Sequence, residues 1–436
     1  MHTLLAMLAT ATLLVVAAGL PSSAGAAVVR GPDPGSGFGY GFDACDAPSQ
    51  RAMNAWNQHS HFSAVGIYIA GMNRACSSQP HLDRRWVRTQ KARGWKLLPL
   101  VVGRQASCAP RGLYRGKRIS PRPAGLYRQA RGQGADAARG AARAARHLGI
   151  REGSVLWFDL EGFDTTRTHC RRSALHFVSG WSRQVRRDGF RSGLYSSAST
   201  LRMLGPARAY PDVFSLPGYL WFAHWNGRAT VATKYLSNNH WMPHRRVHQF
   251  RGGHSERHGG RRLVIDSNYY SVGQGIWIGK EQRRSHCGVR ISYGRYETMR
   301  PGARGPGVRA AQCVLRDGRH YRGRLTGRYD RRTTRAVRHF QAVHPRLRAT
   351  GVLTRGTWTA LLSRGDRPAL KYGSQGTAVR RLQRALNAAT RASVAVDGIF
   401  GLGDARVVER YQRRHHLPAT GVVSARTWRL LQRGNL

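Results

Sequence analysis

The chain has no C-x-x-C pair, no G-x-S-x-G and no phosphate-loop motif. The first absence removes the common zinc and redox sites. The second disfavours a serine hydrolase, and the third disfavours nucleotide chemistry. Beyond residues 3–20 no apolar run is long enough to cross a bilayer. Negative charge is thin as well: 21 Asp and Glu stand against 72 Lys and Arg in 436 residues, a formal charge of +51. That balance implies anionic surroundings. Arg is spread along the whole chain, and no nucleic-acid recognition motif accompanies it. An anionic cell envelope fits this pattern, and a specific nucleic-acid partner is not expected. Arg bias on solvated faces explains much of the excess.

What is present starts with a leader. Residues 3–20 are apolar and are followed by Pro21-Ser22-Ser23-Ala24-Gly25-Ala26, an h-region with a small-residue cleavage site, so residues 1–26 read as a signal peptide. The mature chain is expected to be secreted, extracellular and wall-associated, with no membrane span. Six cysteines suit that compartment and read as disulfides, with 15 pairings open. A hydrophobic content of 41% supports a real core, and the length suggests two to four domains at roughly one per 100–200 residues.

The C-terminal third repeats itself. Val308, Arg309 and Gln312 match Val379, Arg380 and Gln383; Val337, Phe340 and Gln341 match Val408, Tyr411 and Gln412; Thr357-Trp358 matches Thr427-Trp428. Each unit reads as three short helices, giving two small all-α domains at 300–365 and 366–434 after a linker at 276–299. The second unit carries Val379, Leu382, Gln383, Asp397-Gly398-Ile399-Phe400-Gly401, Thr420-Gly421 and Thr427-Trp428. In these residues it resembles the peptidoglycan-binding domain found in tandem at the ends of bacterial wall hydrolases. The first unit departs at the turn, with Thr326 for Asp and Asp330 for the last Gly. The resemblance implies peptidoglycan or a related wall glycan as partner, and the charge adds anionic wall polymers.

Residues 36–275 differ. Eight strand-like runs are spaced along them: Phe38–Asp43, Ala64–Ala70, Lys96–Val102, Ser154–Glu161, Arg191–Ser196, Tyr219–His224, Arg246–Phe250 and Arg262–Ser267. Helical patterns at 49–60, 82–93, 125–148 and 171–187 separate the early ones, and Ala138, Ala142, Ala145 and Leu148 share one face of the third. Alternation predicts a parallel sheet closed as an α/β, (β/α)8-type barrel. The last strands leave little room for outer helices.

Chemistry in such barrels sits at the C-terminal strand ends. The carboxylates that end strand runs are Asp43, Asp159, Glu161 and Asp266. Asp159 and Glu161 are spaced i, i+2, so both project from one face of their strand. Paired carboxyls are what glycoside hydrolysis needs. Tyr68, Trp157, Tyr195, Trp221, Trp225, Tyr269 and Tyr270 lie at neighbouring strand ends and could stack on sugars.

Gly41-Phe42-Asp43, Phe158-Asp159-Leu160-Glu161, Gly193-Leu194-Tyr195-Ser196, Leu220-Trp221-Phe222-Ala223-His224, His248-Gln249-Phe250 and Ile265-Asp266-Ser267-Asn268 together resemble the secreted bacterial glycoside-hydrolase-like domain of unknown activity related to family 25 lysozymes. The resemblance implies Glu161 as general acid. It places Asp159 at the substrate N-acetyl group or the developing charge, and Asp43 and Asp266 at water or substrate. Gln249 and Asn268 join Tyr68, Trp157, Tyr195, Trp221 and Trp225 as substrate-binding candidates. His248 stands where the family has Trp, a departure bearing on subsite shape. Cys45–Cys76 and Cys108–Cys170 are expected to staple loops on the catalytic face, and Cys287–Cys313 the first binding unit. His240, His244 and His248 have H-x-x-x-H spacing, but Pro243 interrupts the helix a metal site would need. No metal and no cofactor is expected. The expectation is therefore a muramidase-like hydrolase, with a non-catalytic wall-binding protein of the same fold as the alternative and a plain polycation as a third reading.

Overall fold

A computed structural model describes residues 37–110, 117–272 and 287–436. The expected signal peptide and the first part of the linker lie outside these residues. Strands β1 (Gly37–Asp43), β2 (Phe62–Ala70), β3 (Lys96–Val101), β4 (Val155–Asp159), β5 (Arg191–Ser197), β6 (Tyr219–Ala223), β7 (Arg245–His258) and β8 (Arg261–Val272) close a barrel in sequence order. Helices α1 (Gln50–His59), α2 (Arg84–Ala92), α3 (Ala124–His147) and α4 (Thr168–Arg187) fill the first four crossovers. After β5 come only the single-turn helices α5 (Ala198–Leu201) and α6 (Leu204–Ala207), and none separates β6 from β7. The outer ring is incomplete where the sequence left no room for it.

One expectation needs correcting. Strands β1 to β7 run parallel, but β8 is antiparallel to both β7 and β1. Only Gly259-Gly260 separates β7 from β8, both with positive φ (54° and 78°). Two such residues make a hairpin and leave no length for the crossover a parallel strand requires. The hairpin folds back over α1, where Trp56 donates its indole N–H to the Arg261 carbonyl at 3.0 Å. Arg246 and His248 secure the β6–β7 loop. Arg246, fully buried, donates to the Val231, Ser237 and His240 carbonyls.

Period-2 alternation sorts β4 cleanly. Leu156 and Phe158 face outward, and Phe158 packs on Phe177 and Trp181 of α4. Val155 and Trp157 face inward into a separate core inside the barrel with Trp221, Val247 and Tyr270. Ala138, Ala142, Ala145 and Leu148 are buried as their shared face predicted. Close approach of α3 to α4 rests on two glycines. A Cβ at Gly134 would lie 2.0 Å from the Phe177 carbonyl oxygen, and one at Gly180 would lie 2.0 Å from that of Arg131. The three disulfides pair as expected: Cys45–Cys76, Cys108–Cys170 and Cys287–Cys313.

The C-terminal region is six helices: α7 (Pro306–Asp317), α8 (Arg331–Ala342), α9 (Arg355–Ser363), α10 (Thr377–Thr390), α11 (Leu402–Arg414) and α12 (Ala425–Gln432). Its repeated motif has a structural cause. Four buried glutamines, Gln312, Gln341, Gln383 and Gln412, each accept from a positive-φ glycine N–H, at Gly327, Gly351, Gly398 and Gly421. Each donates to the carbonyl of the next residue. The turns are thereby clamped to the helices, and an unmade clamp would leave buried amides unpaired at roughly 1–3 kcal/mol each. Thr326 accepts from Gln312 as Asp397 does from Gln383, so the first unit's departure preserves the clamp. Trp358 and Trp428 are 1% and 0% exposed, core residues of a single apolar cluster spanning both units.

The second unit docks under the barrel, at the end opposite the strand C-termini. Lys371 reaches in and donates to the Asn57 and Phe62 carbonyls at 2.9 and 2.7 Å. The Tyr372 ring packs on Phe38 and Tyr40, and its hydroxyl meets that of Tyr269. Gly373 lies so close to Phe38 that a Cβ would sit 1.8 Å from the Phe38 carbonyl oxygen.

Candidate active site

Strand β1 delivers Asp43 to the barrel mouth, and β8 pairs Asp266 directly opposite it. Asp266 is not at a strand C-terminus. Because β8 is reversed, its first half lies at the mouth, and its last half, with Tyr269 and Tyr270, lies at the base. Those two tyrosines are therefore removed from the site. Tyr270 is buried against Ser63, and Tyr269 faces the docked second unit.

A polar lattice holds the Asp43–Asp266 pair. Asn268 donates to Asp43 Oδ1 at 2.6 Å, and Tyr68 donates its hydroxyl to Oδ2 at 3.2 Å. Gln249 donates its amide to both Asp43 oxygens and to Asp266 Oδ2, each at 3.3 Å. The Gly253 N–H donates to Asp266 Oδ1. Behind them Trp221 orients Asn268 through a 2.8 Å bond to its Oδ1. Tyr195 and Trp225 both donate to Gln249 Oε1 at 3.0 Å, which turns the Gln249 N–H groups toward the carboxylates.

Burial, then the negative charge of Asp266, pushes Asp43 up to about 7. Asp266 is also raised, chiefly by burial, against the opposing Gly253 N–H. Asp159 is raised well above the carboxylate range by burial, then by Glu161 and Asp43. Burial and mutual repulsion thus favour the protonated forms of Asp43, Asp159 and Asp266, the direction that acid catalysis needs. Asp43 also supplies a stability test. Its folded pKa exceeds its unfolded value, so the native state binds the extra proton between about pH 4 and 7, and stability falls as pH rises through that window. Asp43→Asn removes this loss. Its stability at pH 8 relative to pH 4 is expected to exceed the parent's own change by about 4 kcal/mol in urea unfolding.

The other half of the site hangs from the end of β4. Asp159 is 4% exposed, and its Oδ1 has no hydrogen-bond partner among the described residues. Glu161 is partly exposed and close enough to raise both Asp159 and the Tyr195 hydroxyl. The backbone that carries them is fixed by Gln105, which sequence reasoning missed. Fully buried, Gln105 donates to the Asp159 carbonyl at 2.8 Å and accepts from the Glu161 N–H at 2.9 Å. A loop glutamine has no spacing signal that would have marked it.

Trp157 and Trp221 need correction as stacking platforms. Both are 0% exposed and meet edge to face at 5.6 Å in the barrel interior. Gln249 and Asn268 are likewise buried and touch the carboxylates first. Trp225 differs: it is 68% exposed, with its ring laid against Gly252, where a Cβ would come within 2.5 Å. His248 does not shape a subsite. It is buried outside the barrel interior, stacked on Phe222, with its ring nitrogens on the Thr230 and His224 carbonyls. Among the described residues the grouping with metal-ligand proximity is Cys287, Cys313 and Asp317, and its two sulfurs are bonded to each other.

Residues 54–270 match the family described as "Rv2525c-like, glycoside hydrolase-like domain". Residues 304–361 and 375–431 each match a peptidoglycan binding domain family. No curated protein matches the chain. Among solved structures, an uncharacterized protein of B. stearothermophilus is 18% identical, with a TM-score of 0.34 over 52% of this chain and 94% of that one. The Tat-secreted protein Rv2525c of Mycobacterium tuberculosis, in complex with L-tartrate, is 13% identical, with a TM-score of 0.37 over 54% and 97%. The modular autolysin LytC of Streptococcus pneumoniae is 11% identical, with a TM-score of 0.34 over 53% and 46%.

Proposed function

From a chain that carries an Rv2525c-like, glycoside-hydrolase-like domain followed by tandem peptidoglycan-binding domains, we propose an exported, wall-associated glycoside hydrolase that cleaves peptidoglycan glycan strands. The observation that carries this reading is the cluster of Asp43, Asp159, Glu161 and Asp266 at one barrel mouth, where burial raises Asp43, Asp159 and Asp266. Glu161, the more accessible member of the β4 pair, protonates the leaving oxygen. Asp159, its carboxyl raised by burial, donates its O–H to the substrate N-acetyl group. Asp43 and Asp266 position water or substrate, and Trp225 offers its open face to a sugar ring. The helical repeats hold the chain on the wall, so the barrel works at high local substrate concentration.

Gln105 acts here as a positioning residue. Gln105→Ala is expected to lower kcat about 10- to 100-fold with KM nearly unchanged, because both carboxyls lose their shared anchor. Steady-state kinetics on soluble glycan fragments measures it.

The saturated bonding of Asp43 and Asp266 favours a second reading, in which the carboxyls brace the barrel rim of a non-catalytic wall-binding protein. The deciding experiment incubates the oxidised mature protein with purified peptidoglycan and follows new reducing ends by mass spectrometry. Release supports the hydrolase. No release, with co-sedimentation intact, supports the binding protein.

A further inference from the structure

The first helical repeat carries a basic cleft. It has a volume of about 540 Å³ and lies between the turn after α7 and one side of α8. Arg319, Arg322, Arg332 and Arg335 line it, with His320 and His339 between them. The two imidazoles face each other through Nδ1 at 3.0 Å, which fixes both rings against the wall. Arg319 has φ +61°, a left-handed conformation that an L residue adopts at a cost. No carboxylate lines the cleft, and among the described residues none of the four guanidinium groups forms an ion pair. Asp330, the acidic group beside Arg332, is engaged in capping α8 through Thr333.

The internal repeat supplies a control. At the register that aligns Val308 with Val379, the counterparts of Arg319, Arg322 and Arg332 are Thr390, Ser393 and Gly403, whereas Arg335 has Arg406, and His320 and His339 have Arg391 and Arg410. The second repeat's turn is also tied to the segment before the first repeat, with Ser393 bonded to the Gly294 carbonyl and Asn387 to that of Tyr293. The two repeats thus share a fold and differ in which positions of this surface carry arginine, with Arg319, Arg322 and Arg332 particular to the first.

The geometry points to a binding site for a phosphodiester-linked wall polymer, a chain of polyol phosphates, on the first repeat. Guanidinium forks match phosphate oxygens two at a time. Four forks that form no ion pair among the described residues exceed what one carboxylate or one phosphate can use, and a cleft of this size takes several units of a repeating anion. Tyr321 is buried, with its hydroxyl bonded to the Arg324 carbonyl, so it offers no face for a sugar ring. The site works whether or not the barrel cuts glycan.

The test is calorimetric titration of the full mature chain with short poly(glycerol phosphate) at two salt concentrations. The double variant Arg322→Ala/Arg332→Ala is expected to bind at least about tenfold more weakly and with a shallower salt dependence. The control Arg406→Ala/Arg410→Ala, in the second repeat, is expected to stay within about twofold of the parent. Circular dichroism checks that both variants fold. The proposal is overturned if the parent does not bind, or if both double variants weaken binding equally. It is also overturned if oligoglutamate or a single-stranded oligonucleotide of matched charge binds as well as the polyol phosphate and loses as much in the variant.

Discussion

Glu161→Gln is expected to reduce glycan cleavage by about 10³-fold while leaving wall binding intact, a larger effect than any other single change in the barrel. A side-chain amide keeps the size of the carboxyl but has no proton to deliver, and general acid catalysis contributes about 10²–10⁴-fold. Asp159→Asn should cost less, about 10- to 100-fold. Asp159 sits 4% exposed below the mouth and is raised by burial and by Glu161. Its amide still donates a hydrogen bond to an N-acetyl oxygen, so part of its proposed role survives. Reducing-end yields from both variants, with co-sedimentation on insoluble peptidoglycan as the binding control, separate the roles. A severe loss in Asp159→Asn beside a mild one in Glu161→Gln would exchange the two assignments.

Sequence pattern located the eight strands, the first four outer helices and the carboxyls at the mouth, because each rests on a local signal. Period-2 alternation says which face a side chain takes. It does not say how deep the residue lies, and this is why Trp157 and Trp221 read as cleft walls when both lie in the barrel interior. Strand direction was the other gap. Gly259-Gly260 was a legible hairpin turn, yet the β/α rhythm of the earlier segments suggested parallel strands, and Tyr269 and Tyr270 were then assigned to the wrong end. Gln105 was invisible for a different reason. Its partners are backbone groups more than fifty residues away, and no composition or spacing marks such a bond. The repeat motif was legible as a motif, but its cause, a glutamine clamping a positive-φ glycine, needed coordinates.

Lys371 is a contact over three hundred residues of chain that no pattern could announce, and it carries the second large prediction. Lys371→Met is expected to weaken docking of the second helical unit on the barrel base by about 2–4 kcal/mol. Methionine fills a similar volume, but it leaves the Asn57 and Phe62 carbonyls buried and unpaired, at about 1–3 kcal/mol for each lost partner. The ammonium has no carboxylate within ion-pair reach among the described residues, and burial pulls Lys371 down to about 7. The sign of its pH dependence follows. The docked lysine releases its proton near pH 7, while a solvated lysine keeps it to about pH 10. Between those values the undocked state binds more protons, so the parent's docking strengthens as pH rises from about 7 toward 10 and is flat below 7. The Met variant lacks that rise. Hydrogen exchange at Phe38–Tyr40 and Leu370–Ser374, compared at pH 6 and pH 9 and corrected for intrinsic rates, reads both effects. Equal protection in parent and variant at both values would reduce Lys371 to a passive filler and leave Tyr372 and Gly373 to hold the two parts together.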